Sequence, residues 1–128
     1  MNKDEKKIKI IFEGAKKARQ SFCPIRDIIE RVNDKWSMLT ILALGGYGKQ
    51  RFNAIRKLIP DISQRMLTVT LRNLENDGLI TRQVFAEVPP RVEYALTDLG
   101  DSLMNQLLIF ADWANTNSDK ILKKRKRC

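Results

Sequence analysis

Between Lys3 and Phe22 the apolar residues Ile8, Ile11, Phe12, Ala15, Ala18 and Phe22 return at three- and four-residue intervals, with lysines between them. That spacing sets them on one stripe of an amphipathic helix over residues 3–22, which needs an apolar surface to lie against. A second helix is predicted from Pro24, because the first helical turn has no use for the amide that proline lacks. It carries Ile25, Ile28, Ile29 and Val32, and Asn33-Asp34 interrupts it. Asp34 suits the cap of a third helix running from about Lys35 through Trp36, Leu39, Leu42 and Ala43. Gly45-Gly46-Tyr47-Gly48 then reads as a flexible connection.

Phe52, Ile55, Leu58 and Ile59 mark a short helix that ends near Pro60. Ser63 is a plausible cap for the next helix, with Met66, Leu67, Thr70, Leu71 and Leu74 on its apolar side and a stop at Asp77-Gly78, where glycine takes a left-handed conformation cheaply. On a helical wheel Leu67, Leu71 and Leu74 face inwards, while Gln64, Arg65, Thr68, Val69 and Arg72 lie on or near the opposite side. The period then drops to two: Ile80, Arg82, Val84 and Ala86 alternate with Thr81, Gln83 and Phe85, and Val92, Tyr94 and Leu96 with Glu93 and Ala95. These are two short strands, and the prolines of Glu87-Val88-Pro89-Pro90-Arg91 put their connection at a hairpin tip. Thr97 caps a long final helix carrying Leu99, Leu103, Met104, Leu107, Leu108, Phe110, Ala111 and Trp113, and Ile121 to Cys128 reads as a basic tail.

Helices followed by a capped helix and a two-stranded ribbon predict a mainly α fold with a two-stranded β wing, a winged helix-turn-helix with N- and C-terminal dimerisation helices. The corresponding divisions are an N-terminal helical extension (1–22), the winged domain with its terminal dimerisation helix (23–113) and a basic C-terminal tail (114–128). Ile8, Ile11, Phe12 and Ala15 of the first helix and Leu103, Leu107, Phe110 and Trp113 of the last are the candidate dimer contacts. A small winged domain covers only part of those surfaces, and a twofold partner can bury the rest. Trp36, Phe52 and Tyr94 are read as packing residues.

At 128 residues the chain suits one domain with appended helices. Its formal charge is +9, which biases it towards polyanions, but the distribution is more informative than the sum. Residues 1–22 contribute +4 and residues 119–128 contribute +5, so residues 23–118 are neutral. Within that neutral part, Lys49, Arg51, Arg56, Lys57, Arg65 and Arg72 face the single acid Asp61. The apolar runs are too short and interrupted for a transmembrane span and no secretory signal is evident, so a cytoplasmic protein without membrane contact is expected. With no histidine and two cysteines, Cys23 and Cys128, the familiar Cys/His zinc sites are excluded, and no metal or cofactor is expected. No paired acid-base groups or activated nucleophile emerge, and the glycine cluster has neither Walker nor Rossmann spacing, which argues against an enzyme.

Double-stranded operator DNA is therefore the expected partner. Arg65 suits guanine and Gln64 adenine edges, Thr68 and Val69 offer methyl contacts to thymine, and Arg72 lies deeper along the same helix. Ser63 with the free amides behind it suits a phosphate, and Lys49, Arg51, Arg56 and Lys57 add attraction independent of sequence. Arg91 at the hairpin suits the minor groove or backbone, whereas Arg82 falls at the base of the wing. Weakly specific DNA binding by an architectural or interaction module is the alternative reading. Cys23 precedes Pro24 at a helix start, where unsatisfied amides favour a thiolate, so it is either a candidate sensor of an oxidant or small electrophile or a passive cysteine.

Several motifs occur together in order: Cys23-Pro24-Ile25, Asn33-Asp34-Lys35-Trp36, Arg51-Phe52-Asn53, Ile62 to Thr68, Leu71 to Ile80, and Glu87 to Gly100. Over roughly residues 23–113 this series resembles the HxlR-type winged helix-turn-helix regulators, a family related to the MarR regulators. The resemblance implies a homodimer joined through its terminal helices, with the two helices beginning at Ser63 reading a pseudo-palindromic operator and the Pro89-Pro90 turn in the wing. It also implies repression or activation at a promoter, and it strengthens the sensor reading of Cys23, since some proteins of that type respond to oxidants or electrophiles through a cysteine there. The Tyr47-Gly48-Lys49-Gln50 connection and Val69 depart from the usual pattern, so no operator preference carries over.

Overall fold

The computed structural model describes residues 2–17 and 24–125. Two compact units divide between Asp34 and Lys35, twelve residues beyond the boundary expected at Phe22/Cys23. The first unit contains α1 (Lys3–Lys17) and α2 (Pro24–Val32). Asn2 starts α1 by accepting the Glu5 amide on its side-chain oxygen at 2.7 Å, and Asp4 and Glu5 suit the positive end of the helix. Pro24 opens α2 as its first residue. Ala18 and Phe22 of the predicted stripe lie outside the described residues.

The second unit orders α3 (Lys35–Tyr47), α4 (Phe52–Leu58), α5 (Gln64–Asn76), β1 (Ile80–Phe85), β2 (Arg91–Leu96) and α6 (Asp98–Arg125). Its core is formed by Ile41 and Leu44 of α3, Ile55 of α4, Leu67, Leu71 and Leu74 of α5, and Ile59, Ile62, Leu79 and Ile80 from the connections and the start of β1, all buried. Burying such a side chain stabilises the fold by about 1.5–3 kcal/mol, and the α5 leucines occupy the inward positions that their spacing predicts. The strands pair antiparallel from Ile80 opposite Leu96 to Phe85 opposite Arg91, so Ala86 lies beyond the ladder. Trp36, Phe52 and Tyr94 are half-buried.

Two expectations are corrected. Gly45-Gly46-Tyr47 is not a connection but the last turn of α3, and the chain turns only at Gly48, whose φ is +75° and whose amide closes on the Leu44 carbonyl at 3.0 Å. The reason is tertiary. A β-carbon at Gly45 would sit 2.7 Å from the Met104 Cγ, so this glycine admits α6 against α3. The second correction concerns the tail: α6 runs 28 residues to Arg125, about 42 Å of helix, and residues 114–125 continue it.

The exit from α5 is held by several backbone groups at once. Gly78, at φ +77°, donates to the Glu75 carbonyl and Leu79 donates to that of Leu74, both at 3.0 Å. This paired closure is a Schellman stop, with Leu74 and Leu79 both buried beside it. Thr97 then ties the corner to α6: its amide donates to the Leu79 carbonyl at 3.1 Å, its hydroxyl donates to the Gly78 carbonyl at 2.7 Å, and the same oxygen accepts the Gly100 amide at 3.0 Å. Gly100 is buried, and a β-carbon there would fall on the Leu79 carbonyl. Gly100→Ala is therefore expected to lower unfolding free energy by on the order of 3 kcal/mol. Gly46→Ala, with nothing near the new methyl, is expected to raise it by about 0.5 kcal/mol. Urea denaturation of the two variants checks both signs.

Candidate nucleic-acid interface

The helix proposed as the reader begins with a formed cap, since Ser63 is extended and its Oγ accepts the Met66 amide at 3.0 Å. One face of α5 is fixed in the core by Leu67, Thr70, Leu71 and Leu74. Gln64, Arg65, Thr68, Val69 and Arg72 are all exposed. The Thr68 hydroxyl donates to the Gln64 carbonyl at 2.9 Å. That bond satisfies its polar atom within the helix and leaves a methyl group for apolar contact.

The basic residues ahead of α5 are gathered by a contact the sequence did not advertise. Gln50 pairs with Tyr94 as an isolated antiparallel bridge, donating to its carbonyl at 3.0 Å and accepting its amide at 2.9 Å. This bridge brings the Lys49–Arg51 segment onto the open edge of β2. Lys49, Arg51 and Lys57 consequently line one groove with Pro90 and Arg91 of the wing, while Arg56 joins Lys57 beside Asn53 and Pro60. Asp61, the one acid among these residues, sits 3.9 Å from Lys35. A second cleft lies between α5 and the wing, lined by Phe52, Thr68, Leu71, Arg72, Glu75, Arg82 and Tyr94. It unites Thr68 and Arg72 with Arg82, which the sequence left at the base of the wing.

Arg91 has a different setting from the free wing-tip cation expected. Its side chain is only 28% exposed and lies 3.4 Å from Glu87 and 3.6 Å from Glu93. Its guanidinium also covers the Phe85 ring at 3.9 Å from the centroid. Two carboxylates and a ring thus engage it within the hairpin, a placement that ties the two strands together. Val88, in the connection between the two strands, is fully exposed.

Among the candidate dimer contacts, Ile8 and Phe12 of α1 are exposed and Ile11 is half-buried; for Ala15, only the place in α1 is described. On α6, Leu103 and Leu107 are half-buried, while Phe110 and Trp113 are 57% and 54% exposed. Those two rings stack with centroids 6.4 Å apart and planes within 9°. Leu107 and Phe110 also border an apolar groove with Leu39 and Leu42 of α3. Cys23 and Cys128 lie outside the described residues. Among the described residues no helix is long and apolar enough to cross a membrane.

Comparison with known proteins gives this geometry a context. The model of the HxlR-like helix-turn-helix family matches residues 31–122. The uncharacterised HTH-type transcriptional regulator YdeP of Bacillus subtilis is 45% identical over 101 residues, covering 79% of this chain and 78% of YdeP. The oxidised form of the redox regulator HypR is 40% identical, with a TM-score of 0.69 over 74% of this chain and 97% of that one. A MarR-family transcriptional regulator from Porphyromonas gingivalis W83 is 35% identical, with a TM-score of 0.69 over 74% of this chain and 92% of its own.

The setting of Arg91 leads to a measurable expectation. Arg91→Gln removes the charge between Glu87 and Glu93 and should speed amide hydrogen exchange across β1 and β2 by about tenfold, leaving the slow amides of α3 and α5 unchanged. Unaltered exchange in the strands would show that the arginine does not hold the wing.

Proposed function

The chain belongs to the HxlR-like helix-turn-helix family of transcriptional regulators, and from that membership we propose that it acts as a homodimer reading a specific operator through α5. The observation carrying this reading is the division of α5 into two faces, with Leu67, Leu71 and Leu74 buried and Gln64, Arg65, Thr68, Val69 and Arg72 exposed behind a formed Ser63 cap. A helix anchored on one side and polar on the other is suited to a major groove, where Arg65 addresses guanine and Gln64 adenine. Ser63, Lys49, Arg51, Arg56 and Lys57 supply backbone attraction. Arg91 serves the interface chiefly by shaping the wing.

The homodimer uses apolar residues of the terminal helices: Ile8, Ile11, Phe12 and Ala15 on α1, and Leu103, Leu107, Phe110 and Trp113 on α6. Joining two short modules at fixed spacing raises affinity for a symmetric site. The family is one of regulators and not enzymes, so the output is altered access of RNA polymerase to a promoter.

A response to an oxidant or electrophile is a second part of this proposal, favoured by the similarity to the redox regulator HypR. Cys23 is its candidate site. An electrophile would add to the thiolate sulfur after loss of the thiol proton, or two thiols would yield two electrons and two protons to an oxidant as a disulfide forms.

Selection from random duplexes is expected to recover a two-part operator with half-sites about 10 bp apart, centre to centre, or a multiple of that spacing. Arg65→Ala should weaken binding to it by about 1–3 kcal/mol and relax the preference at one base pair in each half. Recovery of no preferred sequence would favour the weakly specific module instead. In a separate measurement, a thiol-directed electrophile should change operator affinity of the full chain but not of Cys23→Ser. Equal affinity before and after modification of Cys23 would reject the sensing part alone.

A further inference from the structure

The cleft where α5 meets the wing has a volume of about 370 Å³ and takes Arg72 and Glu75 from the helix and Arg82 from β1. All three are exposed, and among the described residues none lies within ion-pair distance of an opposite charge. Arg91 on the same hairpin differs, because two carboxylates hold it. Arg72 and Arg82 therefore present two unoccupied guanidinium groups from separate elements to one concave space.

Their supports are fixed. Arg82 stands opposite Tyr94 in the strand register, and both backbone groups of Tyr94 are engaged by Gln50 on its other side. Leu71, buried next to Arg72, anchors the helical wall. The cleft is thus built on backbone pairing and core packing.

Position along the helix identifies what these groups meet. Arg72 follows Arg65 by seven residues, which places it about 10.5 Å farther along the axis. A major groove is about 12 Å wide, and a reading helix directs its N-terminal residues to base edges. With Arg65 at the bases, Arg72 falls at the margin of the groove, where phosphates line the duplex. A phosphate oxygen pair matches the planar fork of arginine.

We propose that Arg72 and Arg82 clamp a single DNA backbone phosphate in this cleft, with Glu75 restraining the grip. The proposal rests on the DNA-binding reading above and deepens it. Arg72 becomes a backbone contact and not a base reader, and Arg82 joins the interface. The wing base and the reading helix then engage the same backbone phosphate, so neither can shift on the duplex without the other. Glu75 leaves the three side chains with one net positive charge, which keeps attraction to arbitrary polyanions low.

The test uses the full chain, a labelled random-sequence duplex and the selected operator duplex, with affinity measured across salt concentrations and folding monitored by circular dichroism. Arg82→Gln is expected to weaken both duplexes alike by about tenfold. It should also reduce the slope of log affinity against log salt by about 0.9, so that a fourfold rise in salt costs the variant roughly threefold less than the parent. Glu75→Gln is expected to tighten both duplexes severalfold and carries the test if Arg82→Gln does not fold. An unchanged slope in folded Arg82→Gln, a lost preference at one base pair, or no tightening in Glu75→Gln would overturn the clamp. Failure of the parent to bind either duplex would instead overturn the DNA-binding reading itself, and the clamp with it.

Discussion

The arrangement of the winged unit depends on the Leu79 carbonyl and the space beside it. That oxygen accepts the Thr97 amide, and Gly100 packs where any side chain would strike it. The residue itself closes α5 through its own amide and buries its side chain next to Leu74. One corner therefore fixes the end of α5, the base of both strands and the start of α6. Buried peptide groups must find partners, and at this corner satisfying them leaves little freedom in how the three elements meet.

Features governed by neighbours in the chain were legible in the sequence. The inward leucines of α5, the Ser63 and Thr97 caps, the left-handed Gly78 and the proline-rich hairpin tip each depend on a few adjacent residues, and the structure shows each of them. Gly45-Gly46 misled because glycine is a poor helix former in isolation, and nothing local reveals that Met104, far along the chain, requires the missing side chain. The Gln50–Tyr94 bridge, the clearance at Gly100 and the convergence of Arg72 with Arg82 are likewise long-range facts. Charge counting found the basic run from Lys49 to Arg72 but could not tell an engaged arginine from an unengaged one. Arg91 lies between two glutamates that the sequence showed only as neighbours, and Arg82, which it left aside, faces open space.

This difference between charge and available charge bears on how a neutral central region can address a polyanion. Asp61 and Lys35 offset one another across 3.9 Å, an exposed pair of little energetic weight that nevertheless sets the one acid of the basic run beside a cation. Glu87 and Glu93 are similarly occupied by Arg91. The acids nearest the grooves are thus partly screened, leaving Lys49, Arg51, Lys57, Arg72 and Arg82 to shape the local field. Glu75 is the exception, and its lack of an ion-pair partner among the described residues is what gives the second cleft its restrained charge.

The same corner links the proposed dimer to the proposed reading. Phe110 and Trp113 lie on α6 about 20 and about 24 Å beyond Thr97 at 1.5 Å per residue, and α6 is continuous over that distance. Packing of α3 at Gly45 against Met104 braces the helix along that distance. A partner seated on the stacked rings would therefore act through a stiff lever whose other end is bonded to Gly78 and Leu79. Because α5 ends just before those residues, a small rotation of α6 at the proposed subunit contact would reorient α5 or break the Thr97 bonds. On the proposed homodimer, operator spacing and subunit packing would in that sense be one mechanical variable, and a signal that alters the contact between subunits would not need to touch the proposed DNA-facing residues to change what they read.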